Sequence, residues 1–90
     1  MANYQVEISP DAKREITDLP GHVRAQAIRL IRRLSEFPRP PRSKALRGKP
    51  DVYRLWAAKR WRIVYSVEDE ALLVLVLRVR PKEQIDYESV

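Results

Sequence analysis

Alternating hydrophobic and polar residues predict strands at the start of the chain and throughout its second half. Near the start, Tyr4, Val6 and Ile8 alternate with polar neighbours, which is the period-2 pattern of a half-buried strand. Three further runs are rich in β-branched, aromatic and aliphatic residues and span 52–57, 61–67 and 71–79. Short polar connections between these runs predict an antiparallel meander. The last run is apolar at nearly every position, which predicts burial on both faces in the centre of the sheet.

Two helices are predicted between the first strand and the meander. Ser9 suits the N-cap, Pro10 the first helical position, and Asp11 the positive end of the helix dipole. Pro20-Gly21 ends this first helix, and a second is predicted over 22–37. Its apolar residues recur at helical spacing: Val23, Ala27, Leu30, Ile31 and Leu34. The order predicts an α+β fold, β-α-α-β-β-β, with two N-terminal helices packed on an antiparallel sheet.

The size and composition of the chain are those of one small folded domain, predicted to span residues 1–90. Ninety residues supply one hydrophobic core, and 44% hydrophobic with 33% charged residues is ordinary for a globular protein. The first residues lack the charged and apolar segments of a signal peptide, and no apolar run is long enough to span a bilayer. We therefore expect a cytoplasmic protein without membrane association.

Positive charge is the strongest functional signal in the composition. Lys and Arg total 18 against 12 Asp and Glu, which gives a formal net charge of +6. This balance favours a polyanionic partner such as RNA, DNA or an acidic protein segment. Solubility alone is the competing interpretation, but the basic residues are clustered along the chain rather than evenly spread.

Several kinds of functional site are excluded by residue content. Cysteine is absent and histidine occurs once, which leaves no plausible zinc or copper site and no disulfide. Two glycines cannot form a glycine-rich phosphate loop. The single histidine, His22, stands at a predicted helix start, far in sequence from any strand nucleophile. We therefore predict no metal and no cofactor.

Arginine, lysine and tyrosine remain as candidates for chemistry in the meander. Arg54 and Arg62 would share a sheet face if the hairpin register aligns them, and Lys82 follows the last strand. Cleavage of RNA by its own 2′-hydroxyl needs a base, an acid and stabilisation of the anionic phosphorane, and fixed cations supply the last of these. Tyr87 suits a general acid or a platform for base stacking. A basic sheet that only binds RNA is the alternative.

Further basic residues are candidates for contacts to phosphate. A proline-rich loop over 38–50 is predicted to be fairly stiff, and its charges suit contacts with a nucleic-acid backbone. The candidate RNA- or ribosome-binding residues are Arg39, Arg42, Lys44, Arg47 and Lys49 in the loop, with Arg78 and Arg80 in the last strand.

In several short motifs the chain resembles the RelE/ParE superfamily of bacterial toxin–antitoxin toxins. The motifs are Ile8-Ser9-Pro10-Asp11-Ala12-Lys13-Arg14-Glu15-Ile16 with Leu19-Pro20, then Leu46-Arg47-Gly48, Tyr53-Arg54-Leu55, Trp61-Arg62-Ile63-Val64-Tyr65 and Leu77-Arg78-Val79. Together, in this order, they cover nearly the whole chain and favour the RelE side of the superfamily.

The resemblance implies a small α+β toxin that enters the ribosomal A site, cuts messenger RNA and is neutralised by a cognate antitoxin protein. Contact with operator DNA is implied only through the antitoxin complex. Carried over by matching motif, the implied catalytic residues are Arg54, Arg62, Lys82 and Tyr87. Two positions depart from the family pattern: Trp56 replaces a frequent lysine, and Lys82 stands where arginine is usual.

The same resemblance leaves two other functions open. ParE-like members share the fold but inhibit DNA gyrase without enzymatic activity, and an inactive copy would remain as an antitoxin-binding co-repressor. We therefore expect a ribosome-dependent endoribonuclease, with these two functions as alternatives.

Overall fold

The computed structural model of the protein describes residues 3–84, which form helices and strands in the predicted order with one addition. The elements are β1 (Gln5–Ile8), α1 (Pro10–Thr17), α2 (Gly21–Arg33), β2 (Lys44–Ala45), β3 (Val52–Ala57), β4 (Trp61–Glu68) and β5 (Leu73–Pro81), followed by a 3₁₀ turn at Lys82–Gln84. The addition is β2, a strand of two residues inside the proline-rich segment, which is too short to give a period-2 pattern.

Helix α1 begins where its capping residues predict. The Ser9 hydroxyl accepts a hydrogen bond from the Ala12 amide at 3.1 Å and donates one to the Leu77 carbonyl at 2.9 Å, so it joins the helix start to β5. Pro10 occupies the first helical position, as predicted. Helix α1 therefore begins beside the sheet rather than away from it.

Helix α2 ends at Arg33, earlier than the predicted end at Phe37. The last turn tightens, since the Leu34 and Ser35 amides donate to carbonyls three residues back at 3.1 and 3.3 Å. Pro38 follows, and the residue before a proline is disfavoured in helical conformation. The exposed Phe37 therefore lies beyond the helix rather than on its last turn.

The sheet contains five strands in the order β1-β5-β4-β3-β2 and is mixed rather than antiparallel throughout. Strands β3, β4 and β5 form the predicted antiparallel meander. Strand β1 pairs with β5 in parallel, with Gln5 opposite Leu73 and Ile8 opposite Val76. The prediction of a purely antiparallel sheet was wrong for this pair. No tight hairpin joins β1 to β5; both helices and three strands intervene, and such a long connection permits parallel pairing.

Both helices pack on one face of the sheet. The core joins helix residues such as Val23, Ala27 and Ile31 to Ile63 and Tyr65 of the central strand β4. The other face is not covered in the same way, and β5 shows the difference: Val74 and Val76 are fully buried, whereas Leu73 and Leu75 are half-buried. The predicted burial of β5 on both faces was therefore wrong, because the helices cover only one face of the sheet. Its predicted central position was also wrong, since β4 is the middle strand.

The hairpin between β3 and β4 closes through two residues with a left-handed backbone. Ala58 has φ 49° and Lys59 has φ 67°. Residues with a side chain adopt this conformation at a cost, and turns usually place glycine or asparagine there. The tight turn nevertheless fixes the register of β3 against β4, on which the candidate site depends.

The described part of the chain contains no helix with the length and apolar character needed to cross a lipid bilayer.

Candidate functional site

Cross-strand pairing gathers basic residues on the sheet face opposite the helices, here called the open face. Residues directly paired across a sheet point to the same side. Arg62 on β4 lies between Trp56 on β3 and Arg80 on β5, and Arg54 pairs with Val64, which pairs with Arg78. Lys44 on β2 pairs with Arg54. The open face therefore carries Lys44, Arg54, Trp56, Arg62, Arg78 and Arg80.

The hypothesis that the hairpin register places Arg54 and Arg62 on one face is confirmed. Arg54 is opposite Val64, two residues along β4 from Arg62. Diagonal neighbours of this kind have Cα atoms about 7–8 Å apart, within reach of two long side chains that meet one phosphate. Arg54 and Arg62 are therefore close neighbours on the open face.

An irregularity in β5 brings its two arginines to the same face. Tyr65 pairs with Val76 but Val64 pairs with Arg78, so Leu77 is an extra residue, a β-bulge. Without it, strict alternation would turn Arg78 and Arg80 towards the helices and the core. The bulge allows one strand to be apolar towards the core in its first half and basic towards the open face in its second half.

Arg62 is buried against the indole of Trp56. Its relative exposure is 7%, and its guanidinium carbon lies 4.3 Å from the centre of the Trp56 ring. A guanidinium over an indole face gains a cation–π interaction, which strengthens when water is excluded. The charge of Arg62 is therefore held in a fixed position, as stabilisation of a transition-state anion requires.

The second cation near Trp56 is Lys82. Its ammonium nitrogen lies 5.9 Å from the Trp56 ring centre, and its main-chain N–H donates to the Arg60 carbonyl at 2.8 Å. Lys82 is exposed in the 3₁₀ turn after β5. Arg62 and Lys82, two of the predicted catalytic residues, thus both lie near the Trp56 ring, whereas Tyr87 lies outside the described residues.

Arg78 and Arg80 share one carboxylate, that of Glu15 on α1. The Arg78 guanidinium donates to Glu15 at 2.7 and 3.1 Å, and Nε of Arg80 lies 3.2 Å from the same carboxylate oxygen. The hydrogen bonds that Arg78 donates to Glu15 raise the pKa of Arg78 above its ordinary value. The other Glu15 oxygen accepts the Val79 amide at 2.8 Å, on an edge of β5 that β1 does not cover. Glu15 therefore both closes the sheet edge and offsets part of the positive charge.

The basic loop residues do not form one group in the structure. Arg39 donates to both Asp69 carboxylate oxygens at 3.0 and 2.9 Å and to the Tyr53 hydroxyl at 2.8 Å. Tyr53 stacks on Tyr65, which belongs to the core under the helices, so Arg39 lies on the helix side of the sheet. Arg39 therefore ties the loop to Asp69 and lies apart from Lys44 and Arg54 on the open face.

The other loop cations remain accessible. Arg42, Lys44 and Arg47 are exposed, and Lys49 is half-buried. Of these, Lys44 is paired into the sheet beside Arg54 and belongs to the open face. The loop thus contributes Lys44 directly to the candidate site, and the exposed Arg42 and Arg47 lie before and after Lys44 in sequence.

Two residues that contact the candidate site residues had no role assigned to them from the sequence. Trp56 alternates with Arg54 along β3, so the two share a sheet face as this spacing predicts, but the contact of Trp56 with Arg62 was not predicted. Glu15 gave no such signal, because it lies 63 residues from Arg78 in sequence. Only the packing of α1 against the edge of β5 brings these two residues together.

The chain matches a known family and several characterised proteins over most of its length. The family described as the ParE toxin of the type II toxin–antitoxin system parDE matches residues 6–86. The mRNA interferase toxin RelE of Escherichia coli K12 is 32% identical over 87 residues, which cover 96% of this chain and 90% of that protein.

Solved structures agree with this relationship. The isolated E. coli RelE toxin superposes with a TM-score of 0.77 at 32% identity and covers 96% of this chain and 92% of its own. The toxin in the intact E. coli RelBE toxin–antitoxin complex gives a TM-score of 0.77 at 33% identity, with coverage of 90% and 99%. The chain therefore belongs to the RelE/ParE superfamily of type II toxin–antitoxin toxins, on its RelE side.

Proposed function

We propose that this chain is the toxin of a type II toxin–antitoxin pair, one domain over residues 1–90 that acts in the cytoplasm as a ribosome-dependent mRNA endoribonuclease. The observation that carries this proposal is the open face, where three strands place fixed guanidinium groups side by side. The relationship to a protein named mRNA interferase toxin RelE supports the choice of mRNA as the substrate.

The proposed chemistry is attack of a ribose 2′-hydroxyl, which gives up its proton, on the adjacent phosphate. A 2′,3′-cyclic phosphate forms as the P–O5′ bond breaks, and the departing 5′-oxygen takes up a proton. Arg62 and Arg54 would stabilise the charge that builds on the phosphorane, and Lys82, which also lies near Trp56, would stabilise the same anion. Arg62 is the strongest candidate, since burial and the indole fix its position. Tyr87 would be the general acid or a stacking group.

Binding would rest on the remaining basic residues. Lys44 lies on the open face, and Arg42, Arg47 and Lys49 belong to the same loop. Arg78 and Arg80 would contact phosphate while still bound to Glu15, because a guanidinium has five donors and one carboxylate does not use them all.

Dependence on the ribosome follows from the kinds of side chain on the open face. On the open face around Arg62 the described residues are Arg54, Arg80, Trp56 and Val64, none of them a histidine or a carboxylate, and the Glu15 carboxylate at the edge of β5 is bound by Arg78 and Arg80. An enzyme with such a face depends on its substrate being held in line for attack, and the ribosomal A site would supply that orientation.

The neutralising partner would be an acidic, amphipathic antitoxin segment. A cleft of about 850 Å³ lies between α2 and the proline-rich loop. Apolar side chains such as Leu30, Leu34 and Phe37 line it together with three arginines and one glutamate (Arg33, Arg39, Arg42 and Glu36). Apolar side chains among predominantly basic ones suit an amphipathic helix with acidic flanks. Operator DNA would be bound only by the toxin–antitoxin complex.

The deciding experiment is a reconstituted translation reaction with mapping of mRNA ends, run with and without ribosomes. We expect new ends inside the coding region only when ribosomes are present, and little cutting of the same RNA alone. Efficient cleavage of naked RNA at matched concentration would contradict ribosome dependence.

The second candidate is inhibition of DNA gyrase, and the match to the ParE family favours testing it directly. A gyrase reaction with supercoiled plasmid is run beside the translation assay. Gyrase-dependent DNA breaks with mRNA left intact would replace the nuclease proposal, whereas mRNA ends without DNA breaks would exclude gyrase as the target.

A further inference from the structure

Trp56 is a partly exposed aromatic side chain on the open face, beside the cations proposed to bind phosphate. Its relative exposure is 41%, unusually high for an indole between strand residues. We propose that Trp56 is a stacking platform for one nucleobase of bound RNA, a base-binding site beside the phosphate-binding cations. This inference rests on the proposed function and adds a residue that reads or positions a base.

The position of Trp56 in the sheet leaves part of its ring accessible. On one side β4 places Arg62 against it. On the other side β2 covers only Tyr53 and Arg54, so among the described residues no strand pairs with β3 beyond Arg54 at this edge. Trp56 therefore lies on a stretch of β3 that β2 does not pair with, and its partly exposed indole is accessible to a ligand.

The ring is also held in place before any ligand arrives. The Arg62 guanidinium carbon lies 4.3 Å from the ring centre, and the Lys82 ammonium lies 5.9 Å from it. A fixed ring loses little conformational entropy when a base stacks on it, which is the advantage of preorganisation. A tryptophan needed only to hold Arg62 would gain by complete burial, and Trp56 is not buried.

The neighbouring charges are spaced to hold the rest of a nucleotide. Arg54 precedes Trp56 by two residues on the same face, about 6.6 Å along the strand. A nucleotide whose base lies on the indole would therefore have a phosphate within reach of Arg54 or Lys82. Basic groups that alternate with an aromatic ring are the recurring arrangement of single-strand binding surfaces.

Fluorescence of Trp56 gives the direct test. The sequence has two tryptophans, so Trp61→Phe leaves Trp56 as the only one. This variant is titrated with a 2′-O-methyl RNA hexanucleotide, which resists cleavage, and with inorganic polyphosphate of similar charge, which has no bases. We expect RNA to quench the indole strongly and polyphosphate to bind with little quenching. Equal quenching by both, or none by bound RNA, would overturn the inference.

Affinity gives the second test. Trp56→Leu keeps apolar volume but removes the π-surface, and we expect RNA affinity to fall roughly ten- to a hundredfold, with polyphosphate affinity unchanged. Trp56→Phe should lie between Trp56→Leu and the parent, and Trp61→Phe should bind RNA as the parent does. Equal loss of polyphosphate and RNA affinity in Trp56→Leu would show that the indole acts through Arg62 and would overturn the inference.

The proposed function is tested separately in the same preparation. Cleavage on programmed ribosomes by the Trp61→Phe protein, without RNA quenching of Trp56, would refute base stacking and leave the nuclease intact. RNA-specific quenching without cleavage would support base stacking and count against the nuclease.

Discussion

A buried guanidinium inside a strand must recover the hydration it loses, and Arg62 does so partly against an aromatic face. At 7% exposure it belongs to the interior, yet it lies on the side of β4 that the helices do not cover. The indole 4.3 Å away compensates part of the lost hydration and fixes the charge. The Arg62 guanidinium is thus both fixed in position and shielded from water, the two conditions under which a charge interacts most strongly with a developing anion.

Arg62 should be the most sensitive single residue for cleavage. Arg62→Met keeps most of the buried volume but removes the charge, and we expect single-turnover cleavage on programmed ribosomes to slow by about two to three decades. Arg62→Lys should recover only part of the rate, because a point charge cannot reproduce the planar donors.

The control for Arg62 is its chain neighbour in the turn. Arg60 is 67% exposed in its side chain and forms an ion pair with Glu83, so Arg60→Met removes the same charge from another site and should change the rate little. Thermal melting checks the fold of each variant. An Arg62→Met protein that is folded and cuts at the parental rate would remove Arg62 from the catalytic set.

Asp69 should make stability depend on pH in the acidic range. Hydrogen bonds donated by Arg39, which has the larger effect, and by Tyr4 hold the pKa of Asp69 below its ordinary value. The pKa of Asp69 is lower in the folded protein than in the unfolded chain, where it is about 3.9. The ionised carboxylate therefore stabilises the fold fully above the pKa of the unfolded chain, and this stabilisation is lost as the pH falls through the pKa of the folded protein.

Asp69→Asn tests this dependence, because it resembles the protonated acid at every pH. We expect its melting temperature to be lower than the parent's by a constant amount above about pH 5, and the difference to close below about pH 4. The exposed neighbour Glu70, as Glu70→Gln, is the control. A difference that stays the same down to about pH 2, below the ordinary aspartate pKa, would show that Asp69 acts without its charge.

At the scale of the elements, the bulge in β5 decides what the sheet can bind. Leu73 and Leu75 lie on the open face before the bulge, and Arg78 and Arg80 lie there after it. One extra residue therefore changes the open face from half-buried leucines to arginines along a single strand. Glu15 of α1 then contacts both arginines, which ties the first helix to the binding face.

The turn between β3 and β4 offers a test of local strain. Lys59 has φ 67°, where glycine has no steric cost. We expect Lys59→Gly to raise the free energy of unfolding by about 0.5–1 kcal/mol, the relief of strain being partly offset by greater freedom of the unfolded chain. Urea denaturation with an unchanged m-value measures it.

The same substitution in a helix should have the opposite sign. Lys13 is exposed within α1, and Lys13→Gly should lower the free energy of unfolding by about 1 kcal/mol. If both variants are destabilised alike, the positive φ of Lys59 carries no strain.

Local signals predicted the elements well, and contacts between distant residues explain what they missed. The cap at Ser9 and the strand Val52–Ala57 follow from neighbouring residues and were confirmed. The parallel pairing of β1 with β5 and the contact of Glu15 with Arg78 join residues more than sixty positions apart. The alternation of residues along β4 predicted the sheet face on which Arg62 lies. It did not predict the burial of Arg62, because that depends on contact with the Trp56 ring.

At the scale of the whole molecule, the two sides of the sheet have separate tasks. The helices bury one face and form the core, so stability rests mainly on residues that the open face does not use. Arg39 and Asp69 tie the proline-rich loop down on the helix side. The open face is therefore able to carry a cluster of cations without weakening the core, while other basic residues, such as Arg29 and Arg33, lie exposed on α2.

If the open face binds RNA, the position of each cation, and not the net charge of the protein, should set the salt dependence of RNA binding. The double variant Lys44→Gln with Arg54→Gln removes two open-face cations, and the control, Arg29→Gln with Arg33→Gln, removes two exposed cations from α2. Both lower the formal charge equally. For a 2′-O-methyl oligonucleotide, the slope of log affinity against log salt should fall by roughly 0.7 for each phosphate that the protein no longer neutralises, in the first variant only. Equal slopes in the two variants would mean that RNA affinity depends on overall charge, and would contradict the assignment of the open face as the binding surface.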